Sequence, residues 1–178
     1  MNQDKWDQRY LQMAALVAGW SKDPRAGVGA VIVRNNRVVA TGFNGFPSEV
    51  LDREERLQNK DTKLQMVVHA EENALIVAGR NSEGATIYVH GKPVCPRCAG
   101  SIIQAGVRRV VAERPEPNKE SSWHDLGRIA LEMFAEAGVQ FHPKKFAPGT
   151  DSSESDMESK EGSAESELST VHNLGSAA

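Results

Sequence analysis

The residues best suited to chemistry stand in two short runs, His69-Ala70-Glu71 and Pro93-Val94-Cys95-Pro96-Arg97-Cys98. One imidazole and two thiolates offer three zinc ligands. A catalytic zinc commonly keeps three protein ligands and leaves its fourth position to water, whereas a structural zinc closes its shell with four. The chain has two cysteines in all, and its other histidines lie outside any ligand pairing. A closed site is therefore hard to build, and the ligand count points to catalysis. Glu71 stands next to the metal but cannot chelate it alongside His69 without distortion. Its carboxylate is left free to take a proton from a zinc-activated water and return it to the substrate. Three readings compete. A Cys95–Cys98 disulfide would close so tight a loop that it gains little, the pair could serve thioredoxin-like redox chemistry, and a zinc-bearing interaction module would have no use for Glu71.

Both runs need to be held at helix starts, where unpaired N–H groups and the positive dipole end favour thiolate over thiol. The sequence meets that need. A helix is predicted from about His69 to Ala78, ended by Gly79, and another from Pro96 to Ala105, with Pro96 in the first turn, where its missing N–H costs nothing. Upstream, Trp6, Tyr10, Met13, Ala14 and Val17 recur at helical spacing between Asp4 and Gly19. The β-rich runs Val28 to Val33 and Val38 to Thr41 flank Arg34-Asn35-Asn36-Arg37, the pattern of an antiparallel hairpin. Downstream come strands Ala85 to His90, Val107 to Ala112 and Val139 to Phe141, alternating with helices Pro96 to Ala105 and Trp123 to Ala137. The expected fold is α/β, three layers of α/β/α around a mixed sheet of about five strands, with the later strands parallel. Gly106 and Gly138 stand where left-handed residues close helices.

An H-x-E run followed by a P-C-x-x-C run is the pattern of zinc nucleobase deaminases. On these motifs residues 20 to 142 resemble the cytidine and deoxycytidylate deaminase superfamily. One departure is that Val94 separates Pro93 from Cys95, making that loop a residue longer than its commonest form. The blocks Ser21-Lys22-Asp23-Pro24, Val28-Gly29-Ala30, Gly42-Phe43-Asn44-Gly45-Phe46-Pro47, Asn59-Lys60-Asp61-Thr62-Lys63 and His69-Ala70-Glu71-Glu72-Asn73-Ala74 resemble deoxycytidylate deaminases in particular. That resemblance implies zinc held by His69, Cys95 and Cys98, Glu71 as the catalytic acid and base, and hydrolysis of dCMP to dUMP and ammonia in the supply of thymidine nucleotides. Other cytosine substrates, CMP or deoxycytidine, remain alternatives. The resemblance also implies a homo-oligomer, often a hexamer in that family, with dCTP and dTTP as effectors near the Gly42 to Pro47 segment.

By the same resemblance Asn44 contacts the sugar or base. A turn asparagine with left-handed backbone is the plainer reading. Lys22, Arg25, Lys60 and Lys63 are candidate substrate-binding cations for the phosphate, each otherwise a solvated surface charge, and His90 is a candidate for the pocket lining. A transfer-RNA adenosine deaminase would share the zinc motifs but should carry a shorter connection before His69 and a basic, aromatic face. Gly45 to Val68 mixes both charge signs instead. A riboflavin-pathway deaminase should carry a reductase domain as well.

The net charge of −3 is unevenly spread, since Ala147 to Ala178 holds two Asp, five Glu and one Lys, a charge of −6, leaving +3 on residues 1–146. A mildly basic domain suits an anionic ligand. The division expected is a catalytic domain over 1–146 and a disordered, acidic, Ser-rich tail over 147–178. Deleting Ala147 to Ala178 should leave the melting temperature and the deamination rate nearly unchanged; loss of folding would show a docking segment instead. With no signal peptide or apolar run of membrane-spanning length, the chain is expected in the cytoplasm, where a reducing environment would keep Cys95 and Cys98 unbridged, with neither membrane nor nucleic acid as partner.

Overall fold

Why five strands lie together follows from their composition: Val31, Ile32, Val33, Ile87, Tyr88, Val89, Val110 and Val111 form runs that are apolar on both faces, which need a helical layer on each side. The computed structural model describes residues 2–116 and 122–146, so the expected acidic tail lies outside the described residues. Its helices are α1 (Gln3–Ala18), α2 (Glu54–Gln58), α3 (Lys60–Met66), α4 (Ala70–Ala78), α5 (Pro96–Gln104) and α6 (Ser122–Glu136). Strands are β1 (Gly29–Arg34), β2 (Arg37–Phe43), β3 (Thr86–His90), β4 (Arg109–Ala112) and β5 (Gln140–Pro143). Their order is β2-β1-β3-β4-β5. β1 runs antiparallel to β2 and β3, while β3, β4 and β5 are mutually parallel, as the helix–strand alternation predicts.

Alternation along each strand divides the core. Val31, Val33, Tyr88 and Val111 face α1, packing on Tyr10, Leu11 and Ala14. Ala30, Ile32, Ile87, Val89 and Val110 face the other way, onto Ala74 of α4, Ile102 of α5 and Phe134 of α6. The hairpin turn puts Asn35 and Asn36 at φ +52° and +60°, the two left-handed residues a tight two-residue connection needs. Gly106 and Gly138 are left-handed at the ends of α5 and α6, at φ +75° and +69°. Between β2 and α4 the sequence reading predicted only a connection; the structure has α2 and α3 there. Among the described residues no helix is long and apolar enough to cross a membrane.

The sheet and α1 are tied by a buried ionic knot. Arg109 grips both oxygens of Asp7 at 2.9 and 2.5 Å, and the Tyr88 hydroxyl and Gln3 amide donate to the same carboxylate at 2.8 and 2.9 Å. Burial would push the Asp7 carboxyl up, but these donors outweigh it and hold the group below the usual carboxylate range. A depressed folded-state pKa means the unfolded chain binds the proton more readily, so the stabilisation is complete above an ordinary Asp pKa of about 3.9 and fades as pH falls through the lower folded value. The wild-type melting temperature should therefore drop below about pH 4, and Asp7→Ala, which leaves the half-buried Arg109 without its carboxylate, should already melt lower at pH 7. Equal melting curves for the two proteins at pH 7 would refute this.

Candidate active site

Two close approaches fix where the chemistry sits. A Cβ on Gly42 would lie 2.4 Å from both the Ala70 carbonyl oxygen and the Ala74 nitrogen, so only glycine lets β2 press against the first turn of α4. The Asn73 side chain then donates to the Phe43 carbonyl at 3.0 Å, and Gly45 bridges Val68. The residue entering α4 is His69, in extended conformation and making no side-chain cap bond. Cys95 holds the same position at the start of α5, followed by Pro96, also without a side-chain cap bond. Positions that usually carry Ser, Asp or Asn for stability are thus given to a ring nitrogen and a thiol.

The two helix starts converge. His69 Nδ1 lies 3.2 Å from Cys98 Sγ and 3.5 Å from Cys95 Sγ, and the three donor atoms all fall within 4.8 Å of one another. Around a tetrahedral zinc with bonds of about 2.3 Å to sulfur and 2.0 Å to nitrogen, neighbouring ligand atoms stand about 3.5 Å apart. The two His–Cys separations match that edge length. Both cysteines are unbridged and buried, which sets aside the disulfide reading. No fourth His, Cys, Asp or Glu joins the group among the described residues, so a tetrahedral metal held by these three would keep one position for water.

Before any metal binds, charge within the trio is shared unequally. The Cys98 thiol donates to Cys95 and, with His69 beside it and in spite of burial, pulls the Cys95 thiol down to about 4, while the same bond and burial push Cys98 up. The Cys95 thiolate in turn raises His69 against its own desolvation. Glu71 is 4% exposed. Burial pushes its carboxyl up, against the opposing pull of its own backbone N–H and of His69. A carboxylate that readily accepts a proton beside an open metal position is what an acid–base group requires.

His69, Glu71 and Cys95 floor a cleft of about 520 Å³. Of the substrate-binding candidates, Asn44, Arg25, Lys60 and Lys63 line it and Lys22 does not. Lys22 is paired with Asp52 at 2.7 Å. Lys63 is buried and paired with Asp23 at 2.7 Å. Asn44 is not left-handed, which corrects the turn reading. Its Oδ1 accepts from the Val28 N–H at 2.7 Å and its Nδ2 donates to the Ala26 carbonyl at 3.1 Å. It therefore shapes the wall formed by residues 23–28. His90 is not in the lining either; its ring packs edge-on to Phe146.

Sequence reasoning missed Asp23, Lys92, Arg97, Trp123 and Leu126, all in the lining. Asp23 ties the loop together, accepting from the Arg25 and Ala26 N–H groups and Lys63, and those bonds hold its carboxyl low in spite of burial. Lys92 lies 4.3 Å over the Trp123 ring, and that ring stands 6.0 Å from His69. Burial lowers the Lys92 ammonium, with Asp23 opposing and Lys63 adding to the shift. The longer Pro93-Val94-Cys95 loop and a tryptophan at the start of a predicted helix were the available signals for this pair.

The profile described as the cytidine and deoxycytidylate deaminase zinc-binding region matches residues 4–114. The uncharacterised deaminase in the luxG 3′ region of Aliivibrio fischeri is 43% identical over 136 residues, 76% of this chain and 91% of that protein. Human deoxycytidylate deaminase is 37% identical over 155 residues, covering 81% of each chain. Among solved structures, the dCMP deaminase of cyanophage S-TIM5 in complex with dCMP and dUMP superposes with a TM-score of 0.62 at 27% identity, covering 81% of this chain and 98% of that one.

Proposed function

Because the chain belongs to the cytidine and deoxycytidylate deaminase family, we propose that it is a zinc-dependent hydrolase converting dCMP and water to dUMP and ammonia. The observation that carries this is the convergence of His69, Cys95 and Cys98 beside a buried Glu71 at the floor of a cleft lined by cations. Relatives whose names state deoxycytidylate deamination support the choice of substrate.

His69 Nδ1, Cys95 Sγ and Cys98 Sγ would hold a zinc ion, which would supply the acidification that makes water a nucleophile near neutral pH. Glu71 would take one proton from the attacking water and pass it to ring N3, then take the remaining proton from the new C4 hydroxyl and deliver it to the departing amino group. A C4–O bond forms, the C4–N bond breaks, and the carboxylate ends as it began. Burial of Glu71 excludes bulk water from competing for those protons. Asn44 and the loop it braces wall the sugar, and Arg25, Lys60 and Lys63 face the 5′-phosphate side. Lys22 would act from outside the cleft, through Asp52.

The substrate proposal predicts a kcat/KM for dCMP at least about a hundredfold above that for deoxycytidine, since two charge-assisted contacts of roughly 1.5–3 kcal/mol each reach that ratio. A panel of dCMP, CMP, deoxycytidine and a transfer RNA tests it. Equal rates for dCMP and deoxycytidine would make the protein a nucleoside deaminase; release of ammonia from the RNA alone would make it an adenosine deaminase. The protein acts as a homo-oligomer in the cytoplasm, with dCTP and dTTP as effectors, and residues 147–178 are dispensable for catalysis.

A further inference from the structure

We propose, resting on the monophosphate reading above, that Lys92 is the specificity-determining residue for an anionic substrate, its ammonium over the Trp123 ring receiving the 5′-phosphate. Of the cations in the lining, Lys60 is exposed and solvated, Lys92 is half-buried, and the other three are already engaged. Lys63 is closed on Asp23 and Arg97 on Glu72, at 2.7 and 2.8 Å. Arg25 already gives one guanidinium N–H to the Gln58 carbonyl. Lys92 differs. It lines the cleft, rests on an aromatic face, and among the described residues its ammonium has neither a carboxylate within ion-pair distance nor a hydrogen-bond acceptor. A ring face compensates a partly desolvated cation only in part, and all three N–H donors remain available to phosphate oxygens.

Its position is built. On one side Gly91 holds φ +110°, where a Cβ would meet the Gly27 carbonyl oxygen at 2.4 Å; on the other Pro93 fixes its own φ. Helix α6 presses onto this loop, for a Cβ on Gly127 would lie 3.0 Å from the Pro93 and Pro115 side chains. Trp123 is four residues before Gly127, on the same helix face, so the contact that seats α6 also brings the indole over Lys92. The same indole stands beside His69. A pyrimidine held at the zinc floor therefore has a preplaced cation within one aromatic ring of it, with little ordering left to offset on binding.

The test is the ratio of kcat/KM for dCMP over deoxycytidine in wild type, Lys92→Met and Lys92→Arg, each checked for one zinc per chain and for its melting temperature. The expected result is a ratio lowered about ten- to hundredfold in Lys92→Met, the range of one charge-assisted hydrogen bond, with most of it regained in Lys92→Arg. A ratio unchanged in Lys92→Met, or both rates falling in step, overturns the assignment while leaving the monophosphate reading intact. A wild-type ratio near one overturns that reading itself. Should Lys92→Met fail to fold, Lys92→Gln with the same ratio decides the matter.

Discussion

Glu71→Gln is expected to keep one zinc per chain and a near wild-type melting temperature, while dCMP turnover falls by at least about 10²–10⁴-fold, the usual worth of general acid–base catalysis. The amide matches the carboxylate in shape and can still accept from neighbouring N–H groups, so the first turn of α4 has no reason to rearrange. It loses only the capacity to gain and release a proton, and in the proposed mechanism one carboxylate serves every transfer. Removing a buried group whose carboxyl is already pushed up by desolvation also relieves a folding cost, so any change in stability should be toward greater stability. Retention of a tenth of wild-type activity would assign the proton transfers to another group.

Cys98→Ser should have the largest effect of all. A serine hydroxyl stays protonated where a thiol becomes thiolate, and zinc favours sulfur and imidazole donors. Cys98 is fully buried in the first turn of α5, with no other donor among the described residues near enough to replace it. Zinc content should fall well below one per chain and turnover to the uncatalysed background, without recovery in excess zinc. Wild-type protein stripped by a chelator should recover on adding zinc, which separates metal loss from unfolding. Stoichiometric zinc in Cys98→Ser would mean that the metal is held elsewhere.

The chemical centre was legible in the sequence because it is local. His69 and Glu71 are two residues apart, Cys95 and Cys98 three, and each pair opens a helix signalled by its own periodicity and by Pro96. The sheet was legible for a related reason: alternation of Val and Ile with polar turns, and glycines at positions 106 and 138, leave little choice of element. The cleft walls were another matter. Helices α2 and α3 span five and seven residues, too short for a periodic apolar face and stable only through tertiary contacts. The one local signal was Asn59, whose side chain caps α3 by accepting from the Thr62 N–H at 3.0 Å. Counting cations could not say which were already neutralised, because Lys22 and Lys63 meet their carboxylates, Asp52 and Asp23, across 30 and 40 residues of sequence. Trp123 reaches Lys92 only through the packing of α6 at Gly127, a contact invisible to any window of sequence.

Quantifying dUMP and ammonia formed from dCMP by the zinc-loaded protein, before and after chelation, tests the central claim most directly. The expected result is dUMP and ammonia in equal amounts, formed catalytically, abolished by the chelator and restored by zinc. Protein carrying one zinc per chain that leaves dCMP unchanged, or product formation indifferent to removal of the metal, would contradict it.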